Sequence, residues 1–111
     1  MAEYGEWTKK GATLSDVTAK KEYGVERELI IKGINEGKLE YREGVVWGNP
    51  YIRILRRQLE QYITEQPDRE IYMNMKNQAD IRGIKKEIAS LKKKINDLEM
   101  RKTELENRIR K

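Results

Sequence analysis

From Ile81 onward the apolar residues step by three and four: Ile81, Ile84, Ile88, Leu91, Ile95 and Leu98, then Lys102, Leu105 and Ile109. This is a heptad seam, with Ile81, Ile88, Ile95, Lys102 and Ile109 at a and Ile84, Leu91, Leu98 and Leu105 at d. Eight of the nine positions are large aliphatics. At 1.5 Å per residue the seam spans roughly 42 Å. So narrow a stripe needs a mate of similar length, and residues 1–66 offer none, because Gly24, Gly33, Gly37, Gly44 and Gly48 interrupt every candidate. A lone solvated helix would leave an isoleucine or leucine in water at nearly every turn. The mate is expected to come from another chain; a second copy, giving a homodimer, is the expectation, and a different chain with a matching seam stays open.

β-Branched residues at a with mostly leucine at d favour two strands. The flanking charges bear on direction. A parallel dimer pairs Asp80 with Lys85, Glu87 with Lys92, Lys94 with Glu99 and Arg101 with Glu106 of the other strand, all opposite in sign. An antiparallel dimer keeps Asp80 against Arg108 and Glu87 against Arg101 but sets Lys94 against Lys94 and Lys92 against Lys92. Each exposed pair is worth only ~0.2–1 kcal/mol, so parallel is favoured modestly and antiparallel stays open.

The chain has 111 residues, room for one small domain and this extension. Charged residues make up 39 % and hydrophobic ones 37 %, which suits a long solvated helix better than one globule. The segment Thr64-Glu65-Gln66-Pro67 reads as the boundary, giving a head over 1–66 and a coiled-coil helix over 67–111. The net charge of +5 lies on the helix: residues 1–66 hold 11 basic and 11 acidic residues, residues 67–111 hold 13 and 8. Charge alone therefore argues only weakly for a polyanion. There is no Cys and no His, which removes thiol, imidazole and the usual zinc chemistry, and no phosphate-binding glycine motif is present. No enzyme activity, metal or cofactor is expected. No apolar run approaches a membrane span, and Met1-Ala2-Glu3-Tyr4 lacks the basic-then-apolar order of a signal peptide, so a cytoplasmic location is expected.

Within the head, Ser15 or Asp16 can cap a first helix that ends at Gly24. A second helix starts near Glu26, buries Val25, Leu29, Ile30 and Ile34, and ends at Gly37. Two short helices joined by a glycine turn follow the helix-turn-helix plan. Next come Leu39-Glu40-Tyr41-Arg42, a turn at Glu43-Gly44, Val45-Val46-Trp47, a turn at Gly48-Asn49-Pro50, and Tyr51-Ile52-Arg53-Ile54, which together predict a small antiparallel sheet. Residues 56–63 predict a closing helix with Leu59, Tyr62 and Ile63 inward. Tyr4 and Trp7 are expected to cover the open side of the head. Residues 68–80 begin the long helix, with Ile71, Tyr72 and Met75 packing on the head. The fold class is thus mainly α with a small antiparallel β wing and a long C-terminal coiled-coil helix.

Residues 13–64 resemble the winged helix-turn-helix of the MerR and phage-excisionase group. The resemblance rests on the Tyr23-Gly24-Val25 turn, the exit Ile34-Asn35-Glu36-Gly37-Lys38-Leu39, and the finish Tyr51-Ile52-Arg53-Ile54, Leu59 and Tyr62-Ile63. MerR-type regulators also carry a dimerising helix after the winged domain, although theirs run antiparallel. The resemblance implies a transcription regulator that binds double-stranded DNA. The second helix would enter the major groove with Arg27, Glu28, Ile31 and Lys32 facing bases, and Arg53, Arg56 and Arg57 would lie near phosphates. A second reading fits the same residues: a non-enzymatic interaction module whose neutral winged head binds protein. Trp47 is a candidate anchor for such a partner, but a small domain needs aromatic core, and core packing is the favoured expectation for it.

Overall fold

The computed structural model describes residues 5–110. It is mainly helical, with a small three-stranded antiparallel sheet and a long C-terminal helix. After a 3₁₀ turn at Glu6–Thr8 come β1 (Thr13–Ser15), α1 (Asp16–Tyr23), α2 (Arg27–Asn35), β2 (Tyr41–Val46), β3 (Asn49–Leu55), α3 (Arg56–Thr64) and α4 (Arg69–Ile109). Contacts divide the chain into two units, Met1–Ala79 and Asp80–Lys111. The first turns of α4 therefore belong with the head.

The helix ends follow their local chemistry. Ser15 Oγ accepts the Thr18 N–H at 3.1 Å and caps α1. Asp16, the other cap candidate, is freed for a different task described below. Gly24 stops α1 in the left-handed conformation at φ 75°. Between α2 and β2, the Lys38 and Leu39 amides both donate to Gly33 O.

In the sheet β3 is central, with β1 on one side and β2 on the other. The three-residue β1 was not expected from sequence; it exists because β3 offers it an edge, with Leu14 opposite Ile54 and Ser15 opposite Arg53. The expected turn at Glu43-Gly44 is also corrected. β2 runs straight through it, and the hairpin is closed by Trp47-Gly48 alone. Gly44 lies directly across from Tyr51, whose ring occupies the space a Cβ would need. The glycine is thus a covered rung of the ladder, and Pro50, expected in a turn, pairs with Val45.

The core gathers Leu14, Ala19, Tyr23, Val25, Ile30, Leu39, Ile54, Leu59, Tyr62 and Ile63. Burying one such aliphatic side chain contributes about 1.5–3 kcal/mol. Leu29, Ile34, Ile52 and Tyr72 pack against its rim. Met75 reaches Gly24, while Ile71, expected inward, is exposed. Trp7 is half-buried under the Arg42 guanidinium, 4.5 Å from the ring centre. Tyr4, expected beside it, lies outside the described residues.

In the second unit every aliphatic seam residue from Ile81 to Ile109 is between 42 and 82 % exposed in the single chain. Lys102, the one polar seam position, lies 3.9 Å from Glu106 one turn on. Among the described residues no helix is long and apolar enough to cross a membrane.

Candidate functional site

The residues of α2 divide cleanly. Ile30 and Gly33 are buried, Leu29 and Ile34 half-buried. Arg27, Glu28, Ile31 and Lys32 are all exposed, and their spacing sets them in two adjacent i, i+4 rows on one face. Gly33 lets α2 sink into the head: a Cβ there would stand 2.6 Å from Leu39 Cδ1 and 3.0 Å from Tyr62.

Asp16 fixes the start of this face. Its side chain is only 9 % exposed. One carboxylate oxygen accepts the Ile52 N–H of β3 at 3.3 Å, and the other lies 3.6 Å from Arg27 Nη1. A buried carboxylate needs such partners to offset its lost hydration. The pair orients a guanidinium that remains half exposed at the first residue of α2. Lys32 lies 4.0 Å from Glu36 and is otherwise in solvent.

The arginines of the strand-to-helix corner separate into two kinds. Arg56 Nη1 donates to Glu22 Oε1 and to Tyr23 Oη, both at 2.9 Å, and its Nε donates to Gly11 O at 3.0 Å. Arg57 grips Glu6 with two bonds of 3.0 Å. Both charges are answered inside the chain. Through these bonds the two arginines fasten the N-terminal segment and α1 to α3.

Arg53 donates to Thr13 Oγ1 and stands directly across from Arg42 on the outer face of the sheet. Like charges opposed in a ladder repel. Among the described residues neither guanidinium has a carboxylate within ion-pair distance. Sequence reasoning missed Arg42 and the role of Asp16. Only the β2–β3 register places Arg42 opposite Arg53, and only the fold brings Ile52 and Arg27 to one carboxylate.

Around Glu22 burial acts to raise the carboxyl pKa, but hydrogen bonds and charge from Arg56 and Lys76 outweigh it and hold it below the ordinary value. Burial, aided by the Glu60 carboxylate and opposed by Arg56, pushes the Tyr23 phenol up to about 12. These groups are structural. A shallow cleft of about 280 Å³ is lined by Lys38, Arg57, Gln58, Gln61, Tyr62 and Glu65, but Lys38 is paired with Glu65 and Arg57 with Glu6.

The β2–β3 tip is built differently from the rest of the surface. Trp47 and Gly48 both have positive φ, 53° and 81°. Trp47, expected to pack in the core, is instead 96 % exposed because it sits at the hairpin apex, and Val45 and Val46 beside it are exposed as well.

No protein-family model matches this sequence, no curated protein matches it, and no solved structure matches its fold.

Proposed function

We propose that the protein is a dimeric DNA-binding protein of winged helix-turn-helix type, a transcription regulator in which α2 enters the major groove. The observation that carries this reading is the Asp16–Arg27 pair, a buried acid orienting a half-exposed arginine at the start of an outward-facing helix. Arginine so held is suited to bidentate contact with guanine O6 and N7. Ile31 supplies an apolar contact for a thymine methyl, and Glu28 an acceptor for the cytosine amine. At nine residues α2 is roughly 13 Å long, a length the major groove admits. Arg42 and Arg53 are the arginines whose charge a phosphate would neutralise. The seam from Ile81 to Ile109 pairs two copies, parallel by its flanking charges, and presents two heads to a two-fold site.

A salt titration on mixed-sequence duplex DNA tests the reading. Each phosphate contact contributes about 0.9 to the slope of log K against log salt. Replacing Arg42 and Arg53 by Gln should flatten the slope by about 1–2 per protomer, while Arg57→Gln leaves it unchanged. Duplex affinity that ignores Arg27, Arg42 and Arg53 and disappears when residues 80–111 are removed would end the proposal.

A second reading, a protein-interaction head, is favoured by one observation. The arginines Arg56 and Arg57 are neutralised within the chain, in a head whose residues 1–66 carry equal numbers of acids and bases. It forecasts the failing outcome of the same titration.

A further inference from the structure

The β2–β3 ribbon extends past the core. Near its base β2 pairs with residues of β3 that reach the core: Tyr41 lies across from Ile54, which is buried, and Glu43 across from Ile52, which packs on the core rim. Two rungs further out that support ends. Val45 and Val46 point to opposite faces of the ribbon, as successive strand residues must, and both are exposed. Residues 44–52, Gly-Val-Val-Trp-Gly-Asn-Pro-Tyr-Ile, carry no charge, in a chain that is 39 % charged.

Trp47 sits at the apex in a conformation that suits it poorly. A two-residue hairpin turn with both φ values positive is usually built from Asn-Gly or Asp-Gly. A bulky residue with φ 53° is strained there, and local strain of this kind is retained where a site needs it. The side chain gains nothing from the fold in return, being 96 % exposed.

Three features select the occupant. A ribbon apolar on both faces is covered only by a cleft with two walls, not by a flat surface. The apolar area is small, one indole of ~150–250 Å² and two valines, against the ~800 Å² that each partner of a stable protein complex commits. The tip bears no negative charge that the phosphates flanking a groove would repel. A DNA minor groove meets all three conditions: its walls are deoxyribose, it is narrow, and its floor is a stack of bases that an apolar wedge can part.

We propose that Trp47 is an intercalating wedge, inserted from the minor groove between two base pairs with Val45 and Val46 against the sugar walls. This rests on the DNA-binding reading of the head. The wedge kinks the duplex and selects steps that unstack easily, such as TA, without any hydrogen bond to a base.

Trp7→Phe in the full chain leaves Trp47 as the only tryptophan, so its fluorescence reports on the tip alone. Bound to a 30-base-pair duplex containing TA steps, Trp47 should become shielded from acrylamide. Trp47→Asn, which suits the turn, should raise Tm by a few degrees and yet weaken binding by about ten- to a hundredfold. It should also abolish the bend read by energy transfer between labelled duplex ends. Duplex binding with Trp47 still open to acrylamide, and with affinity and bend indifferent to Trp47→Asn, overturns the wedge while leaving the DNA reading intact. Absence of salt-sensitive duplex binding by the unsubstituted chain overturns both and leaves the tip as a protein anchor.

Discussion

Lys76 Nζ, in the second turn of α4, stands 2.9 Å from Glu22 Oε1 near the end of α1. The same oxygen accepts from Arg56 Nη1 at 2.9 Å, so one carboxylate ties the first turns of α4 and the start of α3 to the helix pair. Glu22→Gln should cost about 1–3 kcal/mol, read as a lowered denaturation midpoint, because two half-buried cations lose their anion. The pH dependence has a definite sign. The folded carboxyl is held below its ordinary value of 4.5, so its contribution is fully present above that pH and is lost as pH falls through the lower folded value. Glu22→Gln should flatten that acid-side loss.

Gly33 and Gly83 should respond oppositely to alanine. At Gly33 the new Cβ meets Leu39 Cδ1 at 2.6 Å inside a packed core, and overpacking of this kind costs about 1–3 kcal/mol. At Gly83 it meets nothing within 4 Å, on an exposed helical position. There alanine should stabilise by about 0.8–1 kcal/mol. Thermal denaturation of the two variants checks both signs.

Asp16→Asn separates folding from recognition. Asparagine Oδ1 still accepts the Ile52 N–H, but Arg27 loses its charge partner. The expected protein is folded, weaker by about 1–2 kcal/mol, and less selective at the base that Arg27 reads. Arg27→Ala should relax the same base position by about 1–3 kcal/mol of discrimination, scored by selection from random duplexes. Relaxation of different positions by the two variants would refute the orienting role.

Ile95→Asp places a charge in the middle of the seam and should give monomers by sedimentation. For strand direction, the chain contains no cysteine, so introduced thiols report cleanly. Ile109→Cys should crosslink to itself on mild oxidation if the strands are parallel. Cysteines at Asp80 and Arg108 that link instead would establish the antiparallel arrangement.

The legible parts of this fold were those whose signal is local. The seam repeats every seven residues, and Ser15, Gly24 and Gly37 bracket two helices with their own caps. What escaped depends on partners far along the chain. Gly44 looks like a turn until Tyr51 is set across from it. The three residues of β1 carry no strand signature, and only the exposed edge of β3 makes them one. Arg56 and Arg57 looked free because the acids that neutralise them, Glu22 and Glu6, lie 34 and 51 residues away. For the candidate site, the buried face of α2 was readable from periodicity and its outward residues were what the resemblance implied, whereas the opposed Arg42–Arg53 pair and the Asp16 anchor were not readable.

The strand order also sets a sequence of assembly. β2 and β3 are joined by two residues and close at little entropic cost, whereas pairing Thr13 with Leu55 closes a loop of about 40 residues. Closure cost grows with the logarithm of loop length, which puts β1 behind the hairpin by about 2–3 kcal/mol. Until β1 arrives, β3 presents a bare edge of unpaired amides and carbonyls, the kind that other chains can join. Recovery of the native head from denaturant is therefore a race between its own N-terminal strand and its neighbours, and dilution favours the strand.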